Sequence, residues 1–158
     1  MRHAIHAARS LAAAGLILSA SLAVAQPARA RTAEEAKDLT ERAVAYVHAV
    51  GRETAFTAFG RPDGGFVDGE LYVFCLDASG TVVAHGGNPS IVGRDLSGVR
   101  DPDGRYPNVE ANRMGLDHGR GWVRYRWPNP VSKRIEPKSV YVIRVDDHTV
   151  CGSGFYEP

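Results

Sequence analysis

The sequence is poor in the residues from which familiar catalytic and cofactor sites are built. Its 158 residues include two cysteines, two methionines and two tryptophans. There is no C-x-x-C-H to attach a haem and no H-E-x-x-H to hold a catalytic zinc. A Walker loop and a G-x-S-x-G elbow are also missing, so nothing marks a phosphate cradle or an activated serine. His48, His85, His118 and His148 are scattered singly, which gives no metal cluster. Asp101-Pro102-Asp103-Gly104 resembles the start of a calcium loop, but the glycine falls too early and the later ligands do not follow, so it reads as a turn. No nucleophile and base can be paired from spacing, and the chain is therefore not expected to be an enzyme, nor to carry a cofactor.

An excess of charge is missing too. Lys and Arg number 19 against 18 Asp and Glu. This balance argues against a nucleic-acid or anionic-membrane surface, which needs a basic surplus. Beyond residue 25 no apolar run approaches the roughly 20 residues that span a bilayer.

What is present begins with a leader for export. Arg2, His3, His6 and Arg9 form a basic start without acids. Ser10 to Ala25 is an uncharged run of about 16 residues, closing on Ala23-Val24-Ala25. Residues 1–25 therefore read as a signal peptide, with a second A-x-A match at Ala28-Arg29-Ala30 that sets cleavage as late as residue 30. Cleavage after Ala25 removes two arginines and no acid, leaving 17 basic against 18 acidic residues in about 133. That is one domain with a single core, periplasmic or secreted, and not inserted in a membrane after cleavage. In an oxidising compartment Cys75 and Cys151 form a disulfide by default, two buried free thiols being the alternative.

Thr32-Ala33-Glu34-Glu35 is a capping box, and apolar residues at helical spacing follow it up to Gly51, predicting a helix over 32–50. Arg52 to Phe59 reads as a short second helix and Asn108 to Asp117 as a third. Glu70 to Asp77 is apolar on both faces, with Leu71, Val73 and Cys75 on one and Tyr72, Phe74 and Leu76 on the other. Such a strand belongs in the middle of a sheet. Ala78-Ser79-Gly80 turns it into a hairpin with Thr81 to His85. Residues 86–104 read as irregular, and Gly121–Trp127, Val140–Val145 and Val150–Tyr156 as three further strands. The fold class is α+β with an antiparallel sheet.

One stretch concentrates aromatic, cationic and amide groups: Trp122, Arg124, Tyr125, Arg126, Trp127, Asn129, Lys133, Arg134, Lys138 and Tyr141. Strand alternation sets Val123, Tyr125 and Trp127 on one face and Trp122, Arg124 and Arg126 on the other. Aromatic walls with a fixed cation suit a small carboxylate, although the same aromatics equally suit a packed core.

On these residues the chain resembles the single Cache domain family, type 2, the extracellular sensor domains of bacterial chemoreceptors and sensor kinases. The resembling segments run in order through residues 69–77, 80–85, 88–96 and 101–104. They continue with Gly121-Trp122-Val123, Tyr125 to Pro130, Pro137 to Val142 and the closing Gly152-Ser153-Gly154-Phe155-Tyr156. The resemblance implies one domain over residues 32–158, a long N-terminal helix on a PAS-like five-stranded antiparallel sheet of order 2-1-5-4-3. That order sets the Cys75 strand beside the Cys151 strand, which favours the disulfide. It also implies a ligand on one sheet face under residues 86–104, a small organic acid, with Tyr125, Trp127, Lys138 and Tyr141 as pocket residues and His85 near the rim. Family members are commonly flanked by membrane helices and followed by a signalling module, neither of which follows the last strand here. The expectation is a ligand-binding module for signal transduction or chemotaxis that works through a membrane sensor or receptor protein. A structural or interaction module with a side-chain-filled pocket is the alternative.

Overall fold

The computed structural model describes residues 30–157, so the leader read over residues 1–25 lies outside the described residues. Helix α1 (Ala33–Val50) starts at the anticipated capping box. The Glu35 amide donates to Thr32 Oγ1 at 3.2 Å and the Thr32 amide to Glu35 Oε2 at 2.8 Å. Gly51 ends the helix at φ +83°, a conformation that side chains other than glycine resist. Helix α2 (Arg52–Phe59) follows at once. Ala36, Leu39, Ala43 and Val47 of α1, with Ala55 and Phe59 of α2, are buried against one face of the sheet.

The sheet is antiparallel and built from β1 (Val67–Asp68), β2 (Leu71–Asp77), β3 (Val82–His85), β4 (Arg120–Pro128), β5 (Ile135–Asp146) and β6 (Thr149–Tyr156). Its order is β1-β2-β6-β5-β4, with β3 also paired to β2. Apart from β1, a two-residue addition not foreseen, the sequence of neighbours is the anticipated one. The Val73 amide donates to the Phe66 carbonyl and the Val73 carbonyl accepts from Gly86, so β1 and β3 share one edge of β2.

Strand β2 is covered on both sides, as its composition requires. Leu71, Val73 and Cys75 face the helices, and Cys75 bonds to Cys151 directly across the β2–β6 ladder. Phe74 and Leu76 face the opposite side, where they meet Val123, Tyr125, Val140, Val142 and Val150. Helix α3 (Pro107–His118) covers one end of this second face. Residues 86–106, which contain a 3-10 turn at Pro89–Ile91, cover the rest. Every fully buried Val, Leu or Phe contributes about 1.5–3 kcal/mol, so both layers are needed to hold the sheet.

Strand β5 begins five residues earlier than the pattern indicated. Proline cannot donate to a ladder, which makes Pro137 an unusual strand residue. It is tolerated because β6 has already ended: the Pro137 carbonyl accepts from Glu157, beyond Tyr156.

The covering segment is stitched down at two places. Val82 donates to Arg94, Gly93 to Val82 and Leu96 to Gly80, so residues 93–96 line the outer edge of β3. At its far end Asp101 Oδ1 accepts the amides of Asp103 and Arg105, and Oδ2 accepts the amide of Arg126 on β4 at 2.9 Å. Desolvation opposes the Asp101 charge, but the Arg126, Arg105 and Asp103 amides outweigh it and hold the pKa below the usual carboxylate value. Stability from this group is present above the unfolded carboxylate pKa and is lost as pH falls through the lower folded value. Asp101→Asn keeps one acceptor oxygen and turns the other into a donor facing the Arg126 amide. We expect a loss of about 1–3 kcal/mol in urea unfolding at pH 7, shrinking towards pH 3. An unchanged midpoint would show that the anchor is dispensable.

Candidate functional site

Register brings the site together. Tyr125 of β4 lies opposite Lys138 of β5, and Lys138 opposite Tyr156 of β6, so three side chains form a row on the face away from α1. On the same face of β6, Gly152 and Gly154 carry no side chain, and an added Cβ would lie within 3 Å of atoms of β5. This lets Phe74 and Val140 close over the strand. Tyr72 of β2 completes the cluster: its hydroxyl is 3.3 Å from that of Tyr156, which donates to the Pro128 carbonyl at 2.7 Å.

Lys138 is 1 % exposed. Its Nζ lies 3.8 Å from the centre of the Tyr72 ring and 4.7 Å from that of Tyr156. Among the described residues it makes no hydrogen bond, and no carboxylate comes within ion-pair distance. Glu70 is the acid that acts on it, but the Glu70 carboxylate is bonded to Asn129 Nδ2 at 2.9 Å. Burial pushes the Lys138 pKa well below its ordinary value, and the attraction of Glu70 only partly opposes this. A buried amine with two aromatic faces and no ionic partner is an uncommon use of lysine.

His85, at the end of β3, stands on the boundary of the site, its ring 4.9 Å from that of Tyr72. Its Nδ1 accepts the Asn88 amide at 2.9 Å, so in the neutral ring the proton sits on Nε2. Burial, and then the positive charge of Lys138, lower its pKa to about 3, so it is neutral at physiological pH. Burial raises the Tyr125 hydroxyl above its usual value, as do the neighbouring Tyr72 and Glu110. Tyr72 is raised by burial and by Tyr156, with Trp127 acting in the opposite direction. All these rings are neutral donors.

Two adjoining spaces result. An inner cavity of about 10 Å³, roughly one water molecule, is walled by Tyr72, Phe74, Leu76, Val82, His85, Leu96, Asn108, Tyr125, Trp127 and Lys138. Beyond Tyr72, His85, Leu96 and Trp127 lies an open cleft of about 480 Å³, bounded by Asn88, Ile91 and the β4–β5 turn with Asn129 and Lys133. Asn129 shapes that turn: Nδ2 donates to Glu70 and Glu136, and Oδ1 accepts from Val131 and Ser132.

Four of the five residues anticipated from the sequence, His85, Tyr125, Trp127 and Lys138, meet in this place. Tyr141 does not, and that expectation is corrected. It is three residues from Lys138 in an unbroken strand, hence on the other face, where its ring lies 5.1 Å from Trp122, which meets Phe155 edge to face. Tyr72 and Tyr156 were missed. Tyr72 shares the Phe74 and Leu76 face already distinguished, and Tyr156 shares the glycine face of β6; what was lacking was which face held the pocket.

The comparison with known families decides what this arrangement is. The model of single Cache domain 2 matches residues 29–157. The chain belongs to that family. Cache domains are sensor domains. A curated relative, the methyl-accepting chemotaxis protein McpP of Pseudomonas putida, is 32% identical over 75 residues, 48% of this chain. The matched segment is 14% of the length of that protein. Among solved structures, a periplasmic sensor domain of a chemotaxis protein is 33% identical with a TM-score of 0.61, over 79% of this chain and 90% of that one. The structure described as the structural basis for carboxylic acid recognition by a Cache chemosensory domain has a TM-score of 0.67 at 24% identity, over 79% and 92% of the two chains. A methyl-accepting chemotaxis protein from Vibrio parahaemolyticus has a TM-score of 0.69 at 19% identity, over 78% and 86%, a likeness of fold alone. Among the described residues of this Cache domain, no helix is long and apolar enough to cross a membrane.

Proposed function

We propose that this Cache domain binds a small carboxylate at Lys138 in the periplasm or outside the cell, and reports the bound state to a membrane sensor or receptor protein. The observation that carries the reading is the buried Lys138 ammonium-forming group without an acid of its own. A ligand carboxylate supplies the opposite charge, and the Tyr125 hydroxyl and the His85 Nε2–H line the same cavity as donors. Trp127 and Leu96 form apolar walls suited to a short tail. Residues 1–25, read as an export leader, agree with such a location. The resemblance to a domain described as recognising carboxylic acids supports the ligand class.

The inner cavity is too small for a carboxylate unless it merges with the outer cleft. Binding therefore requires Tyr72, Trp127 or the segment at Gly86–Val92 to give way. Gly87 lies so close to the Tyr72 ring that an added Cβ would sit 2.5 Å from it, so the ring is packed directly against this segment. The same small cavity favours the second reading, an interaction module whose pocket is filled by its own side chains.

A thermal-shift panel of acetate, propionate, lactate and larger metabolites separates the two. The first reading expects a rise in melting temperature with at least one short acid, about 2.7 kcal/mol of stabilisation at a hundred times Kd. Lys138→Ala is expected to remove it. Silence across the panel, with co-purification of a membrane protein, supports the second.

A further inference from the structure

Resting on the reading of Lys138 as the carboxylate anchor, the groups packed around it also determine which form of the acid the site registers. Every element against Lys138 contributes something, and almost nothing contributed changes charge. Strand β2 offers the Tyr72 ring and, just before it, Glu70, which Asn129 holds. Strand β3 offers His85, whose Nδ1 is occupied by the Asn88 amide. Strand β4 offers Tyr125 and β6 offers Tyr156, whose hydroxyl is bonded to Pro128. Helix α3 offers Asn108, bonded to the Leu96 carbonyl, with Glu110 further off and paired to Arg105. Glu136, on β5 itself, is held by Asn129, Ser132 and Arg134. Lys133 lies out along the cleft. Among the described lysines and arginines, Lys138 is the one that is buried without an ionic partner.

A buried amine in such surroundings is stable as the neutral base, whereas a carboxylate beside it makes the ammonium the stable form. We infer that the domain takes up its carboxylate together with one proton, which comes to rest on Lys138 Nζ, so that it senses the undissociated acid. The balance is simple. The anion arrives from solution with a proton from water or buffer, a new N–H bond forms on Nζ, and the bound pair is ammonium and carboxylate. The net charge of the complex equals that of the free protein. Occupancy then follows the product of anion and proton activity, and a fall in external pH acts like a rise in ligand. The lowered pKa of Lys138 agrees with this.

Calorimetric titration of acetate and propionate into the protein, at one pH in phosphate, imidazole and Tris, reads the proton directly. These buffers differ in ionisation enthalpy, and the slope of observed heat against it counts protons taken up. We expect about one per ligand, and an affinity that falls about tenfold per pH unit between the free and bound pKa values of Lys138. Lys138→Arg, whose guanidinium stays charged, is expected to bind without the proton if it folds. Binding by the wild type with heats independent of buffer, and an affinity flat with pH, would overturn the inference and leave the carboxylate reading intact. Absence of binding in every buffer would instead overturn that reading itself.

Discussion

Lys138→Met is expected to yield a protein that is more stable than the wild type and no longer responds to carboxylates. Methionine is close to lysine in length, and its thioether packs well on the Tyr72 and Tyr156 rings. What is removed is an amine whose charged form the interior disfavours even with two aromatic faces beside it. Replacing buried charge by apolar side chains of similar volume is often stabilising by roughly 1–4 kcal/mol, and a gain in that range is expected at pH 7. The sign follows from linkage. Because the folded pKa lies below 10.5, the unfolded chain holds more protons between the two values, and wild-type stability rises with pH across that window. The difference between variant and wild type therefore grows as pH falls through that window and closes towards pH 10.5. Urea unfolding at several pH values measures it. A variant less stable than wild type at pH 7 would mean that Lys138 serves the fold and not a ligand.

The second large effect concerns Cys75 and Cys151. They are 76 residues apart in sequence, directly opposite in the β2–β6 ladder and wholly buried under α1 and α2. Closing a loop of that length restricts the unfolded chain by about 4.5 kcal/mol in the chain-entropy account. The Cys75→Ala/Cys151→Ala variant is expected to lose about 3–5 kcal/mol, a fall in melting temperature on the order of 10 °C. Comparing oxidised and reduced wild type separates the bond from the small cavity that alanine leaves. Equal stability of the two would refute the entropic contribution. The loss falls on both functions of the sheet, since β6 carries Tyr156 on the face opposite Cys151's helix-facing side chain.

Much of this was legible in the chain itself. Two-sided apolarity placed β2 at the centre, and alternation sorted Val123, Tyr125 and Trp127 from Arg124 and Arg126, which the structure pairs with Glu157 and Asp103 at the surface. The error over Tyr141 has a definite origin. The strand was read only from Val140 onward, so parity was never applied to Lys138 and Tyr141. Once Lys138 is in the strand, three residues of separation exclude a shared face. Tyr72 and Tyr156 were hidden for another reason: alternation gives two faces and does not say which one a loop will leave partly open. That depends on residues 93–96 adhering to β3 and on the reach of α3, neither of which has a periodic signal.

If Lys138 is the anchor for an outside carboxylate, Asn129 is what keeps that anchor from the protein's own acids. Within the fold Glu70 is the neutralising rival closest to hand, and if it swung onto Lys138 it would behave as a permanently tethered inhibitor at a local concentration no solute could match. The amide of Asn129 occupies that carboxylate, and the Glu136 carboxylate as well, from the same nitrogen. On the carboxylate reading, affinity for an outside acid is set partly by a residue that never touches it, acting as a decoy for the acids inside.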